Sequence, residues 1–216
     1  MASSSMIAAA LTAALAAYSP ADMHSVYEDV LDPSDRVGVA RQKPDYPAGC
    51  EPMSLVIVLK SYGYDATMPE ILALMDYSEW SFADSFWGSP FDVGAVYPKG
   101  LANAANRYLE IQGSGLKAVG VTGMDYEVLA LRTKHGLPAI CWFTTDYEDP
   151  RWTGWADEGL QMYENEHALV LYGFDGDGYA LVSDPLRGRS RILESRFEEI
   201  WEECGGMAVV LTKEED

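Results

Sequence analysis

The chain has 216 residues, enough for one domain with a substantial core or a small two-lobed one. Hydrophobic residues make up 48% of it and six are tryptophans, which excludes a disordered polymer. The formal net charge of −19 argues against nucleic acid, whose binding needs cations to meet phosphates, and against an anionic membrane surface. Such a surface would draw in cationic peptides, although solubility alone accounts for the charge.

Residues 1–21 carry no charged side chain, and Met6–Tyr18 is an alanine-rich, weakly apolar run. It is too short to span a bilayer, so no stable membrane insertion is expected. The small residues of Leu15-Ala-Ala-Tyr-Ser19 look like the later part of a secretion signal, but a basic n-region is missing. The segment reads as a signal remnant or an N-terminal helix, and the expectation is an extracellular or cell-envelope protein. Residues 22–216 form a single domain. Its first part, 22–49, is polar and proline-bearing and reads as an extended lead-in.

Cys50 to Tyr62 reads as a helix, with Pro52 tolerated in the first turn and Gly63 at the C-terminal cap. A thiol at a helix N-terminus is a usual route to a reactive thiolate, because unpaired N–H groups and the helix dipole stabilise the anion. Pro69–Tyr77 reads as a short amphipathic helix, residues 78–99 as an aromatic, glycine-rich loop, and Gly100–Leu109 as another helix. The second half is strand-like at Lys117–Val121, Ala139–Thr144, His167–Tyr172, Tyr179–Ser183, Arg189–Leu193 and Met207–Thr212. Helices at Asp125–Lys134 and Ser195–Glu203 interrupt it. The order predicts an α+β fold, a helical lobe packed against an antiparallel sheet.

Thr145–Glu166 reads as a long loop entering directly on His167, and its Trp152 and Trp155 are candidates for one wall of a substrate cleft. Packing of those rings onto the core explains them equally well.

The run from His167 to Asp184 is a hairpin around Asp175-Gly-Asp-Gly178. With Asp175-Gly176 as the two-residue turn, His167 stands directly opposite Asp184, within reach of an imidazole–carboxylate hydrogen bond. With Gly176-Asp177 as the turn, the two become diagonal neighbours. The glycine–aspartate repeat lacks the further oxygen ligands of an EF-hand, so a turn is preferred to a calcium loop. His24 lies in the lead-in and His135 in the last turn of a helix, and neither has a carboxylate held opposite it.

Three cysteines, at 50, 141 and 204, cannot all pair within one chain, and no Cys-x-x-Cys occurs. Neither a metal nor a cofactor is expected. Cys141 reads as a small hydrophobe in a buried strand and Cys204 as a spectator at a helix end, with a Cys141–Cys204 pairing left open. Cys50 is then the thiol left over for nucleophilic work. With His167 and Asp184 it suggests a Cys-His-Asp hydrolase.

Several motifs resemble those of the papain-like cysteine peptidases related to the bacteriocin-leader (double-glycine) peptidases, in their stand-alone branch. They are Gln42, Tyr46-Pro-Ala-Gly-Cys-Glu-Pro-Met-Ser54, Gly88-Ser-Pro-Phe91 with Gly94 and Tyr97, Gly136-Leu-Pro138, Glu166-His-Ala-Leu-Val-Leu-Tyr-Gly173 and Ser183-Asp-Pro185. The resemblance spans about residues 40–212. It implies a papain-like fold, Cys50 as nucleophile, His167 as base, Asp184 as its orienting carboxylate and Gln42 as an oxyanion donor. Gln42 stands eight positions before Cys50, where papain-like enzymes more often place it six before, and position 44 is Pro. Glu51 follows the nucleophile and is expected to face away from it or to organise the helix start. The implied activity is hydrolysis of peptide or isopeptide bonds in a peptide or protein substrate through a thioester. The same triad serves an amidase or acyltransferase, and the scaffold also serves a non-catalytic peptide-binding module.

Overall fold

The computed structural model of the chain describes residues 36–213. The alanine-rich segment 1–21, His24 and the first part of the lead-in lie outside the described residues.

Helix α1 (Cys50–Ser61) is the centre of the molecule, and of its twelve residues only Lys60 reaches solvent. An apolar run without a polar stripe forms a helix covered on all sides. It packs on the sheet strands β5 (Ala139–Thr144) and β8 (Glu166–Phe174), and on helices α2 (Met68–Ala73) and α3 (Pro98–Ile111). The Ser54 hydroxyl donates to the Ala168 carbonyl at 3.1 Å, tying α1 to β8 through a buried hydrogen bond. Gly63, at φ +91°, closes the helix as expected.

The main sheet has six strands in the order β10-β9-β8-β5-β11-β4, every pair antiparallel: β4 (Leu116–Val121), β9 (Tyr179–Asp184), β10 (Gly188–Leu193) and β11 (Ala208–Lys213) complete it. Adjacent residues of β5 show how it is sandwiched, since successive side chains leave a strand on opposite faces. Trp142 meets Tyr97 at the start of α3, with ring centroids 6.4 Å apart. Phe143 stacks on Phe197 of α5 (Glu194–Glu203) at 5.1 Å. Helix α4 (Tyr126–Lys134) packs on β8 as well. The α+β class is as the sequence predicts.

Two segments differ from the expectation. The aromatic region holds a small sheet, β1 (Tyr77–Ser78), β2 (Phe86–Gly88) and β3 (Gly94–Ala95), whose strands of two or three residues are too short to show alternation in a sequence. The expected helix to Tyr77 therefore stops at Ala73, started by a capping box between Thr67 and Glu70. The long loop before His167 is partly a hairpin, β6 (Trp152–Asp157) and β7 (Leu160–Tyr163). Its turn places Glu158 and Gly159 at φ 49° and 83°, the left-handed pair of a tight hairpin, without the Asn-Gly or Asp-Gly that would announce it.

The register of the β8–β9 hairpin also needs correction. Phe174 pairs with Ala180, a bulge falls between Leu171 and Gly173, and Val170 pairs with Ser183. Asp175-Gly176 is thus not a two-residue turn. Its carboxylate instead accepts the Asp177 and Tyr179 N–H groups and rounds a longer loop. Extending the ladder by one step sets Asp184 opposite Leu169 and makes it a diagonal neighbour of His167, on the same face.

Gly49 precedes α1 because nothing larger fits: a Cβ there would lie 2.8 Å from Tyr46 Cβ and from Met68 Cε. Gly49→Ala is expected to cost about 1–3 kcal/mol through overpacking at the helix entry. Thermal unfolding checks this, and an unchanged melting temperature would show that the entry relaxes freely.

Candidate active site

His167 and Asp184 are both fully buried, with the imidazole Nε2 2.8 Å from Asp184 Oδ1. Burial alone would push the Asp184 carboxyl up. The hydrogen bond and charge of His167, with the Tyr147 hydroxyl and the Leu186 N–H, outweigh that and hold it below the ordinary range. The acid is heavily supported: Oδ1 also accepts the Leu186 and Arg187 N–H groups at 2.6 and 3.2 Å, and Oδ2 accepts the Tyr147 hydroxyl at 2.7 Å. Tyr147 sits at φ 60° between the Phe143 ring and the Arg187 guanidinium. No pattern in the sequence announces it. With Asp184 taking one ring nitrogen, His167 Nδ1 is buried and without a hydrogen-bond partner.

Cys50 starts α1 as expected, but its sulfur is engaged elsewhere. The residue is 6% exposed, and its Sγ–H donates to Glu51 Oε2 at 3.2 Å. Glu51 is completely buried, and its other oxygen accepts the Val96 N–H at 2.8 Å. Glu51 therefore does not face away: it turns onto the thiol, while its bonds to its own N–H and to the Val96 N–H organise the helix start. Burial, then the charges of Glu51 and Glu166, push the Cys50 thiol well above its ordinary range, with the Ala168 N–H opposing. The expectation of a thiolate favoured by the helix N-terminus is overturned for this arrangement: desolvation and two like-charged neighbours outweigh the dipole. Burial also lifts Glu51 itself to about 7 and, with the charge of Glu51, raises Glu166.

The Cys50 sulfur and the Glu51 and Glu166 oxygens lie within 4.8 Å of one another, which makes them the one metal-capable group found among the described residues. One Glu51 oxygen is taken by the thiol and the other by Val96, whereas Glu166 Oε1 is buried without a partner.

Gln42 is 2% exposed and lies beside the Asp184 end of the sheet, its N–H donating to the Pro185 carbonyl at 3.2 Å. Its amide Nε2 donates to the Pro47 carbonyl at 2.8 Å, while Oε1 is buried without a partner. Cys141 and Cys204 are free and buried, so the pairing left open between them does not form.

A cleft of about 300 Å³ adjoins the cluster, lined among others by Trp87, Val93, Trp155, Met162, Tyr163 and Glu166. Trp155 is one of its walls, packed edge-on to Phe82 and Trp87 with centroids 4.8 Å from each. Trp152 is not: it is 46% exposed and lies against Tyr163 on the neighbouring strand. The sequence reading missed Glu166 as a functional candidate, although it adjoins His167 in the chain.

The model of the C39-like peptidase family matches residues 35–209, a span that contains Cys50, His167 and Asp184. The chain belongs to that family. It is a cysteine-type peptidase by that membership. A structure from Bacillus anthracis described as a C39-like peptidase superposes with a TM-score of 0.73 at 24% identity, over 83% of this chain and 96% of that one. This likeness shows the papain-like fold. Two further structures align with TM-scores of 0.49. One is a double-glycine-motif protease from an AMS/PCAT transporter in complex with its leader peptide, at 21% identity over 82% of this chain and 91% of that one. The other is the peptidase domain of Streptococcus ComA, at 17% identity over 82% and 99%. No curated protein matches the chain. Among the described residues of this family member, no helix is long and apolar enough to cross a membrane.

The acid cluster has a consequence for stability. Glu51 holds its proton in the folded peptidase up to about 7, against 4.5 for the free side chain, so between these values the folded state binds more protons than the unfolded one. Stability therefore falls as pH rises through that window, by up to about 3 kcal/mol from this residue. Glu51→Gln is expected to flatten the decline, and Glu51→Gln with Glu166→Gln to flatten it further. Urea unfolding at pH values either side of the window measures it; an unaltered slope in the double variant would show that other groups carry it.

Proposed function

We propose that this peptidase hydrolyses peptide or isopeptide bonds through a Cys50–His167–Asp184 triad and a thioester intermediate. The observation that carries the reading is the imidazole itself. Its Nε2 is fixed on a well-supported carboxylate, and its Nδ1 is buried and free to accept a proton. A buried nitrogen with no partner costs free energy unless something is to be placed there.

The thiol is that partner. The sulfur lies within 4.8 Å of a carboxylate oxygen of Glu166, the residue before His167, so Sγ stands beside this stretch of β8. In this reading the sulfur leaves Glu51 for His167, whose Nδ1 accepts the thiol proton and forms a thiolate–imidazolium pair. The thiolate attacks the scissile carbonyl carbon, and its oxygen becomes an oxyanion. Main-chain N–H groups at the start of α1 stabilise that charge, with the Gln42 amide once it leaves the Pro47 carbonyl. The imidazolium then gives its proton to the leaving amine as the C–N bond breaks, leaving an acyl group on Cys50. Water, deprotonated by His167, attacks the thioester, and the thiol and a carboxylic acid are released. Asp184 fixes which nitrogen of the ring carries hydrogen throughout.

Peptide-library hydrolysis followed by mass spectrometry tests this. Cys50→Ala and His167→Ala are each expected to lower turnover by at least about 10³-fold, and Asp184→Asn by about 10² or more. Cys141→Ala and Cys204→Ala should keep most of it. A trapped acyl adduct on Cys50 in the native protein is the direct signature. Undiminished cleavage by Cys50→Ala would end this reading.

A further inference from the structure

The cleft beside Cys50 is made of two unlike parts. Trp87, Val93, Trp155 and Met162 offer apolar wall, and Glu166 brings a carboxyl group whose Oε1 is buried and unpartnered. The charge that acts on Glu166 is that of Glu51, of the same sign. The carboxyl lies within 4.8 Å of the nucleophilic sulfur, so whatever pairs with it does so beside the scissile bond. A desolvated acid with no cation to meet it is an incomplete interaction.

We propose that this cleft receives the side chain of a substrate lysine or arginine flanking the scissile bond, with Glu166 taking the cationic head and Trp87, Trp155 and Met162 covering the methylenes. The assignment rests on the peptidase reading and narrows its substrate class. Volume and chemistry agree on this occupant: about 300 Å³ accommodates one long side chain, and its stem needs the apolar wall that a small cation would leave bare. Aromatic rings such as Trp87 and Trp155 in the wall favour a cation over a neutral head. The net charge of −19 favours approach of basic peptides over acidic ones. The cation also offsets the charge of Glu166 and of Glu51, the second of which holds the thiol proton, and this eases its transfer to His167. A basic substrate thus helps to arm the nucleophile that cuts it.

The experiment uses the full chain and peptides identical except at one position flanking the cleaved bond, which carries lysine, arginine, norleucine or glutamine. Cleavage is read as kcat/KM near neutral pH, and binding is read by calorimetry on Cys50→Ala, where turnover is blocked. Lysine and arginine are expected to exceed norleucine by about tenfold or more in both measurements. Glu166→Gln is expected to bring the ratio close to one. Equal handling of lysine and norleucine, or a lysine preference that survives Glu166→Gln, overturns the assignment. Lysine-selective binding without cleavage of any peptide supports the cleft and counts against the peptidase reading. Cleavage without selectivity does the reverse.

Discussion

Burial of α1 on every side is the constraint from which the site follows. An apolar helix seated between β8, β5 and two other helices has no free face along which to slide or turn. The buried Ser54–Ala168 hydrogen bond pins it to β8, the strand that carries both Glu166 and His167. The position of the Cys50 backbone is thereby set by packing along the whole helix, and Gly49 lets the chain enter that packing without a side chain in the way. The local freedom left to the Cys50 sulfur is rotation of its own short side chain.

That freedom matters for the proposed mechanism, which moves the sulfur between two electrostatic settings. One is the acid group of Glu51 on α1 and Glu166 on β8, which favours a protonated thiol. The other is the imidazole, polarised by a carboxylate that the fold surrounds with Leu186 and Arg187 N–H groups and the Tyr147 hydroxyl. Four hydrogen bonds and the charge of His167 hold Asp184 below the ordinary range despite its burial, whereas the Val96 and Glu51 N–H groups and the Cys50 thiol leave Glu51 up near 7. The imidazole partner that Asp184 has and Glu51 lacks separates the two acids. The thiol sits in the acidic setting, on Glu51. The cleft opens beside that same setting, so its occupant and the state of the thiol are coupled.

Much of the architecture was legible from local pattern. The apolar run after Cys50, the short strand-like runs of the second half and the two helices among them all appear close to where they were expected. Turn arithmetic pairs His167 with Asp184 either directly or, with Gly176-Asp177 as the turn, diagonally, and the diagonal relation is the one found. The loop at Asp175–Gly178 is longer than two residues and a bulge at Tyr172 shifts the ladder, so the contact is diagonal. A bulge has no reliable signature in composition, which is why the register escaped. The β6–β7 hairpin and the three-strand sheet of the aromatic segment escaped because glutamate at a left-handed turn position and strands of two residues carry almost no signal.

The sequence by itself determined the chemistry available: one thiol at a helix start, an imidazole and an acid on the legs of one hairpin, and motifs of a peptidase family. These are properties of residue identity, short-range periodicity and spacing along the chain. Only the tertiary structure decided what each group faces. It gave the sulfur to Glu51 rather than to the ring, brought Tyr147 onto Asp184 from a loop 37 residues away, and set Glu166 beside an aromatic cleft. Solvation and charge proximity govern those states, and apart from the Cys50–Glu51 contact between chain neighbours they arise from contacts between segments far apart in the chain, where local pattern carries no information.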